Sequence, residues 1–349
     1  MKTIFNRLLF IAAALLSVSV QAQSVAEQFA LDAAREYRAQ ARFPESSRPI
    51  ALGQSDPIRS SREVTRQSLP GPDGAAPVLT VWTSGQVFQA GQSVDLFAQL
   101  TNRSMDTVRL ADVLRNVSAK QIHAQFIGEN AGLIGEVSYL DNGRGADTLA
   151  NDGIYSARYT LPMGLPAGRQ PALGSAESVM VKVTAVTEAG DVRKAAGGFQ
   201  FSNPGAVLTG RFTDVVRNGS LVLAAQVNVL AAGRYHLAGT LTDLTGTPVA
   251  EAQGARVLTP GTQWLELSYY GLAFHDRGVA GALRLGSVTL TSTNGMPNAL
   301  GPVLSNAHLT KAYSLSDFTR QPFNNPELLD AAARIEADVI KLPEATSLQ

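Results

Sequence analysis

Apolar side chains recur at every second position in most of the chain between residues 78 and 315, and this alternation constrains the fold most strongly. A period of two places successive side chains on opposite faces of a β-strand, so that one face can be buried. The clearest segments are Ser93 to Leu100, Ile154 to Leu161, and the series Val179, Val181, Val183 and Ala185. About seven such segments before Asn203 are typical of an immunoglobulin-like or fibronectin-like sandwich.

A second alternating series follows the turn-forming stretch Asn203-Pro204-Gly205. Its clearest members are Leu221, Leu223, Ala225, Val227, Val229, Tyr235, Leu237, Leu241, Leu265, Leu267, Tyr269, Leu283, Leu285, Val288 and Leu290. The sequence therefore predicts a mainly β fold with two immunoglobulin/fibronectin-like β-sandwiches in tandem. The first would span residues 78–203 and the second residues 204–315.

An amphipathic helix is predicted on each side of the two sandwiches. Ser24 and Glu27 form a capping box, and apolar residues at helical spacing follow it, which predicts a helix over residues 23–42. This helix either packs on a neighbouring domain or lies against a membrane or a partner. Asn325 before Pro326 is a helix cap with a first-turn proline, which predicts a C-terminal helix and tail over residues 316–349.

The segment between the first helix and the first sandwich, residues 43–77, loses any hydrophobic period. It contains six prolines among serine, glycine and arginine: Pro44, Pro49, Pro57, Pro70, Pro72 and Pro77. This composition indicates a Pro/Ser/Gly-rich linker. A solvated spacer is one interpretation, and contact of its arginines with an anionic surface is the other.

Residues 1–22 have the features of a signal peptide. Lys2 and Arg7 precede an apolar run from Leu8 to Val20, which is short for a membrane span, and small residues end it at Ala22. We therefore expect export to the periplasm or the exterior, with no transmembrane segment in the mature chain. The sequence has no cysteine, which excludes disulfides and thiolate metal sites.

The charge of the chain is balanced, with 29 basic and 29 acidic side chains. Loss of Lys2 and Arg7 with the signal peptide leaves two more acidic than basic side chains. A nucleic acid partner needs a basic field that this chain lacks. A protein or a glycan of unknown identity is the expected partner.

The segment from Asp141 to Tyr155 is rich in aspartate, asparagine and glycine and leads directly into an alternating strand. Asp141, Asp147, Asn151 and Asp152 could supply oxygen ligands to Ca²⁺, which prefers six to eight of them. The spacing is not that of an EF-hand. The alternative needs no ion, because Asp and Asn side chains can bond the amides of their own loop as Asx-turns.

The stretch Leu140-Asp-Asn-Gly-Arg-Gly-Ala-Asp-Thr-Leu-Ala-Asn-Asp-Gly-Ile-Tyr-Ser156 resembles a loop in immunoglobulin-like domains of secreted bacterial proteins of unknown function, termed choice-of-anchor X. A second segment resembles a C-terminal sandwich common in such proteins, through Gly233 to Leu237, Thr242 to Gly246, Pro260 to Leu267 and Gly278 to Gly281. The resemblance covers most of residues 78–315. It implies fold and export, and it does not imply an activity.

An enzymatic site has weak support in the sequence. The four histidines are far apart, and neither a His-Glu-x-x-His helix nor a Gly-x-Ser-x-Gly elbow is present. The triplet His275-Asp276-Arg277 is the strongest catalytic candidate, and Trp264, Tyr270 and Phe274 could form a sugar-stacking face. We therefore expect a non-catalytic binding or structural module of the bacterial envelope or exterior; the alternative is an accessory to, or a rare form of, a secreted hydrolase.

Overall fold

The computed structural model describes residues 25–71, 76–106, 111–163 and 171–341. The predicted signal peptide, residues 1–22, and the end of the predicted tail, residues 342–349, lie outside the described residues. The prediction of a mainly β chain is confirmed, and all but one of the described strand pairings are antiparallel. Within the described ranges, no helix has both the length and the apolar character that a membrane crossing requires.

The N-terminal segment is more ordered than the linker prediction implies. It contains α1 (residues 25–41), β1 (Ser47–Pro49), α2 (Pro57–Ser60) and β2 (Gln67–Leu69). Strand β1 pairs with residues 250–252, and β2 pairs with residues 79–81. The structure therefore differs from a solvated spacer over 43–77. Three-residue strands are too short to show a hydrophobic period, and only β1 pairs with a strand that is distant in the sequence.

Nine further strands complete the first pair of sheets. They are β3 (Val78–Thr83), β4 (Val87–Phe88), β5 (Ser93–Asp106), β6 (Ala111–Asn116), β7 (Ala119–Gly128), β8 (Gly132–Ser138), β9 (Ile154–Thr160), β10 (Ser175–Thr187) and β11 (Val192–Asn203), of which β3 pairs with β2. One sheet has the order β2-β3-β5-β6, with β9 also on β5, and the other has the order β4-β11-β10-β7-β8.

The inner faces of these two sheets share one hydrophobic core. The alternation predicted for β5 is confirmed, because Val94, Leu96, Ala98 and Leu100 are all fully buried. Phe126 of β7 stacks on Tyr159 of β9 with ring centroids 4.3 Å apart. Alternate side chains of facing strands thus fill the space between the sheets, as the period of two requires.

The second pair of sheets contains the remaining strands. They are β12 (Ala206–Arg217), β13 (Ser220–Val229), β14 (Gly233–Thr242), β15 (Pro248–Leu258), β16 (Gly261–Tyr269), β17 (Gly281–Ser292), β18 (Ala299–Leu300) and β19 (Leu304–Tyr313). One sheet has the order β12-β13-β16, and the other has the order β1-β15-β14-β17-β18, with β19 also on β17. These two sheets also share one hydrophobic core, the second core of the chain. Phe43 and Phe318, which lie outside the predicted range 204–315, are part of it.

Helices α3 (Leu272–Arg277) and α4 (Pro326–Lys341) complete the structure. The cap predicted for α4 is present, since Asn325 Oδ1 accepts hydrogen bonds from the Glu327 and Leu328 amides. Helices α1 and α4 contact each other through a bidentate ion pair between Arg38 and Glu336, at 2.8 and 2.7 Å. The N-terminal helix therefore lies against the C-terminal helix.

The second core contains a buried hydroxyl without a partner, which leads to a stability prediction. Tyr269 is fully buried, and its hydroxyl bonds to no described group. An unsatisfied buried polar group destabilises a fold by about 1–3 kcal/mol. We therefore expect Tyr269→Phe to raise the free energy of unfolding by about 1 kcal/mol or more, measured by urea denaturation.

Tyr235 in the same core provides the matched control. It is equally buried, but its hydroxyl donates to the Ala231 carbonyl at 2.5 Å. Tyr235→Phe should therefore lower the free energy of unfolding, by about 1 kcal/mol. A loss of stability in both variants would show that the Tyr269 hydroxyl has a partner, such as a buried water, and would contradict the prediction.

Candidate cation loop

The loop of residues 141–153 connects β8 to β9 and projects from the first pair of sheets. Its ends are held together because Leu140 and Ser156 exchange two backbone hydrogen bonds of 2.8 Å. Gly153 has a φ of 83°, and a Cβ there would lie 2.5 Å from the Asn116 amide nitrogen. Glycine is thus required at this position by both backbone conformation and space.

Asp147 organises the first half of the loop. Its Oδ2 accepts hydrogen bonds from the Asn142 and Gly143 amides, both at 2.6 Å, and its Oδ1 accepts one from Leu149 at 3.1 Å. The side chain is buried. The Gly143 amide is the main reason that the pKa of Asp147 lies below its usual value, because burial opposes this shift and the other two amides add to it.

Asp141 and Asp152 organise the second half in the same way. The Asp141 carboxylate accepts from the amides of Asn151 at 2.5 Å, Asp152 at 3.3 Å and Gly153 at 3.0 Å. Asp152 Oδ1 accepts from the Ile154 amide at 2.8 Å. The hydrogen bonds from loop amides that the sequence left open as the ion-free alternative are therefore present, and they stabilise the ionised carboxylates.

The structure also brings the three carboxylates together. Asp141, Asp147 and Asp152 each place one oxygen within 4.8 Å of the others. The fourth candidate, Asn151, contributes its amide N–H to Asp141 and adopts a left-handed conformation with a φ of 61°. Within the described ranges, no lysine, arginine or histidine forms an ion pair with these three aspartates.

Asn116 is a loop contact that the sequence did not indicate. Its Nδ2 donates to the Asp152 carbonyl at 2.6 Å, and its Oδ1 accepts from Gln99 at 2.9 Å. Asn116 therefore ties the loop to β5 and β6. A cavity of about 400 Å³ lies beside it, lined by Asp141, Asp152, Lys120 and other residues. No motif links Asn116 to the loop, because 36 residues separate it from Asp152.

The histidine candidates form contacts that connect structural elements. His275 Nε2 lies 3.2 Å from the Phe318 carbonyl, Asp276 pairs with Arg42 at 3.0 Å, and Arg277 donates to the Ile50 carbonyl. The triplet thus joins α3 to the N-terminal and C-terminal segments. His308 Nε2 lies 2.7 Å from Asp214 Oδ1.

The remaining two histidines lie on strands of the sheets. His123 Nε2 is 3.4 Å from Glu136, and His236 Nε2 accepts from Arg234 at 3.2 Å. Burial, with a smaller effect of Arg234, lowers the pKa of His236. Neither contact brings a nucleophile to the imidazole.

The aromatic residues proposed as a sugar-stacking face do not share a surface. Phe274 is fully buried in the second core. Tyr270 donates its hydroxyl to the Gln321 carbonyl at 2.8 Å, whereas Trp264 is paired with Gln226 on β13 and is 39% exposed. These three residues therefore do not form one aromatic platform.

Comparison with known proteins finds a family model that matches part of the second pair of sheets. Residues 206–298 match the domain of unknown function DUF4785, C-terminal domain. The match extends from β12 to the residue before β18 and includes three of the six strands of the larger sheet, β14, β15 and β17. A search of curated proteins finds no match. The resemblance of the 141–153 loop to choice-of-anchor X domains remains a prediction.

Three solved structures are similar to parts of the chain. A DUF4785 family protein from Legionella pneumophila is 18% identical with a TM-score of 0.45, and the alignment covers 70% of this chain and 59% of that protein. A tetra-tandem repeat from a large adhesion protein is 13% identical, TM-score 0.20, covering 72% and 66%. Dimeric latent PorU from Porphyromonas gingivalis is 8% identical, TM-score 0.19, covering 75% and 21%. The chain thus spans less than two thirds of the Legionella protein.

Proposed function

We propose that this chain is an exported, non-catalytic protein that acts as a binding or structural module in the bacterial envelope or exterior. In this proposal the two pairs of sheets are immunoglobulin/fibronectin-like sandwiches, and the loop of residues 141–153 holds one Ca²⁺ ion. The partner is a protein or a glycan. The grouping of Asp141, Asp147 and Asp152 is the observation that carries the proposal.

The contacts of the histidines favour a non-catalytic module over a secreted hydrolase. A general base must reach a nucleophile or a substrate proton, and a third group usually orients it. His275 instead contacts a backbone carbonyl, and His308 contacts a buried aspartate that also binds Tyr313. Both imidazoles thus support the packing of neighbouring segments.

The carboxylates of the loop retain the capacity to bind a cation. An ionised carboxylate offers about four acceptor positions. Hydrogen bonds from backbone amides occupy three acceptor positions on Asp141, three on Asp147 and one on Asp152. Three carboxylates held this close repel one another when all are ionised, and a divalent cation offsets that repulsion more strongly than amide dipoles do. Loop carbonyls would complete a Ca²⁺ coordination sphere.

Thermal melting with and without Ca²⁺ tests the ion. At a Ca²⁺ concentration of 100 times the Kd, binding to the folded state adds about 2.7 kcal/mol of stability, which raises Tm by roughly 5–10 °C. Asp152→Asn keeps an acceptor for the Ile154 amide but removes one charge. This variant should melt slightly higher than the parent without Ca²⁺, since repulsion is reduced, and should lose most of the Ca²⁺-dependent increase.

Asp243→Asn is the matched control for that experiment. Asp243 also accepts from its own turn, through the Thr245 and Thr247 amides at 2.9 Å, but it lies outside the carboxylate group. Its variant should keep the full Ca²⁺-dependent rise in Tm. An unchanged Tm of the parent protein at millimolar Ca²⁺ would contradict ion binding and leave the amides as the partners of the carboxylates.

A further inference from the structure

Strand β11 has a long edge that no described strand covers. It pairs with β10 along nearly its whole length, from Val192 to Asn203, without a bulge. On its other edge it pairs only with β4, at Gln200 and Phe201. Residues 192–199 therefore form an open sheet edge among the described strands. Such an edge presents backbone donors and acceptors that suit another extended chain.

The direction of the backbone groups follows from one hydrogen bond. The Gln200 amide donates to the Gln86 carbonyl at 2.8 Å, away from β10. In an antiparallel ladder, the N–H and C=O of one residue point to the same side, and this side alternates along the strand. Lys194, Ala196 and Gly198 consequently direct their N–H and C=O groups toward the open edge. No described group bonds to these N–H and C=O groups.

A cavity of about 590 Å³ surrounds this edge. Its lining includes Ala196, Gly197 and Gly198 of β11, together with Val64 and Thr65. Two consecutive glycines leave the edge backbone accessible, because no side chain covers it. Gln200 also lines the cavity, and its side-chain oxygen is inaccessible to solvent and bonds to no described group.

The chemistry of the lining indicates which ligand fits. None of the lining residues carries a charged side chain, which disfavours a strongly charged ligand. Two aromatic residues line the cavity, Trp82 and Phe199, and Phe199 is buried in the first core. Phe97 stacks on Trp82 at 5.4 Å, and the Arg66 guanidinium lies 4.3 Å from the Trp82 ring centroid. Because Phe97 and Arg66 already contact the Trp82 indole, the cavity is better suited to backbone pairing than to sugar stacking.

We infer that the open edge of β11 binds an extended, uncharged segment of a partner polypeptide, which adds a strand to the β4-β11-β10-β7-β8 sheet. The segment would pair with Lys194, Ala196 and Gly198 through backbone hydrogen bonds, and alternate side chains would enter the cavity. This inference rests on the proposed role as a binding module. It specifies a polypeptide as the partner and the edge of β11 as the binding site.

Peptide selection followed by residue-resolved hydrogen exchange tests this inference. Random dodecapeptides displayed on phage are selected on the mature chain, and the most enriched peptide is synthesised. Its binding should slow exchange of the Lys194, Ala196 and Gly198 amides at least tenfold. The amides of Ala195, Gly197 and Phe199 should change little, because they already face β10. Failure to enrich any peptide, or protection confined to other strands, would overturn the inference.

A pair of variants at one position separates backbone pairing from side-chain contact. Ala196→Pro removes an edge N–H that β10 does not use, and proline is tolerated on edge strands. It should weaken peptide binding at least tenfold, whereas Ala196→Thr keeps the N–H and should bind within about threefold of the parent. Equal binding by both variants would overturn the inference.

If the proline variant does not fold, hydrogen exchange in the parent chain still shows whether the peptide binds at the edge of β11. A peptide that protects only loops at the sheet ends would contradict binding at β11 but leave the binding-module role intact. The Ca²⁺ melting experiment independently tests the other part of the proposed function, which is ion binding by the loop of residues 141–153.

Discussion

Gly254→Ala should destabilise the second pair of sheets by about 3 kcal/mol or more, an effect typical of overpacking against atoms that cannot move. A Cβ at this position would lie well inside van der Waals contact of the Glu266 carbonyl oxygen. Both backbones are fixed, because Gly254 is in register with Leu237 on β14 and Glu266 is in register with Ala224 on β13. Neither strand can move aside without disrupting its ladder.

Scanning calorimetry measures this effect as a decrease in Tm of roughly 6–12 °C. Gly197→Ala is the matched control, since its Cβ would meet only Val81 Cγ2 at 3.8 Å, an ordinary contact. The control should be neutral or slightly more stable, because alanine reduces the conformational entropy of the unfolded chain. A Tm of Gly254→Ala within about 2 °C of the parent would show that β15 and β16 lie farther apart than described.

Asp214→Ala should lower the free energy of unfolding by about 3 kcal/mol at neutral pH, because it removes a buried carboxylate that accepts from three groups of the opposite sheet. Asp214, on β12, is 2.7 Å from His308 Nε2 and accepts from the Tyr313 hydroxyl at 2.7 Å and the Lys311 amide at 3.1 Å. These three partners belong to β19 of the opposite sheet. The aspartate therefore joins the two sheets along their edge.

The pH dependence identifies the carboxylate as the source of this stability. Burial alone raises the pKa of Asp214, but the hydrogen bonds from His308, Tyr313 and Lys311 outweigh it and leave the pKa below the usual value. A carboxyl group with a lowered folded-state pKa stabilises the fold above its unfolded pKa of about 4. That contribution is lost as the pH falls through the folded-state pKa.

Urea denaturation of the parent and of Asp214→Ala at several pH values measures this contribution. The difference should shrink as the pH falls below about 4. Asp95→Ala is the control; it removes a more exposed pair with Arg158, at 2.6 and 2.9 Å, and should lower the free energy of unfolding by less than about 1 kcal/mol. A difference that persists unchanged to pH 2 would contradict a role for the carboxylate charge.

The parts of the fold that the sequence predicted are those with a strong period. Val94 to Leu100 alternate because one face of β5 is buried, and this burial is the physical origin of the pattern. The order of residues 43–77 was not predicted, since Ser47 pairs with Ala252 and Phe43 enters the second core. Such contacts join residues about 200 positions apart, and no local pattern records them.

In the candidate loop, too, the sequence predicted the features that depend on neighbouring residues but not the contacts with distant ones. Its density of aspartate, asparagine and glycine predicted both the turn and the grouping of Asp141, Asp147 and Asp152, because these residues are close in sequence. The sequence did not predict that Asn151 would contribute its amide to the loop, nor that Asn116 would hold it. The open edge of β11 was also not predicted, because it depends on which strands become neighbours.

Isothermal titration of Ca²⁺ into the metal-stripped mature chain measures the proposed ion directly. We expect a saturable heat with about one ion per chain, unchanged in Asp243→Asn and mostly lost in Asp152→Asn. No saturable heat up to millimolar Ca²⁺ would contradict a calcium-stabilised module and would show that hydrogen bonds to its own amides are sufficient to order residues 141–153.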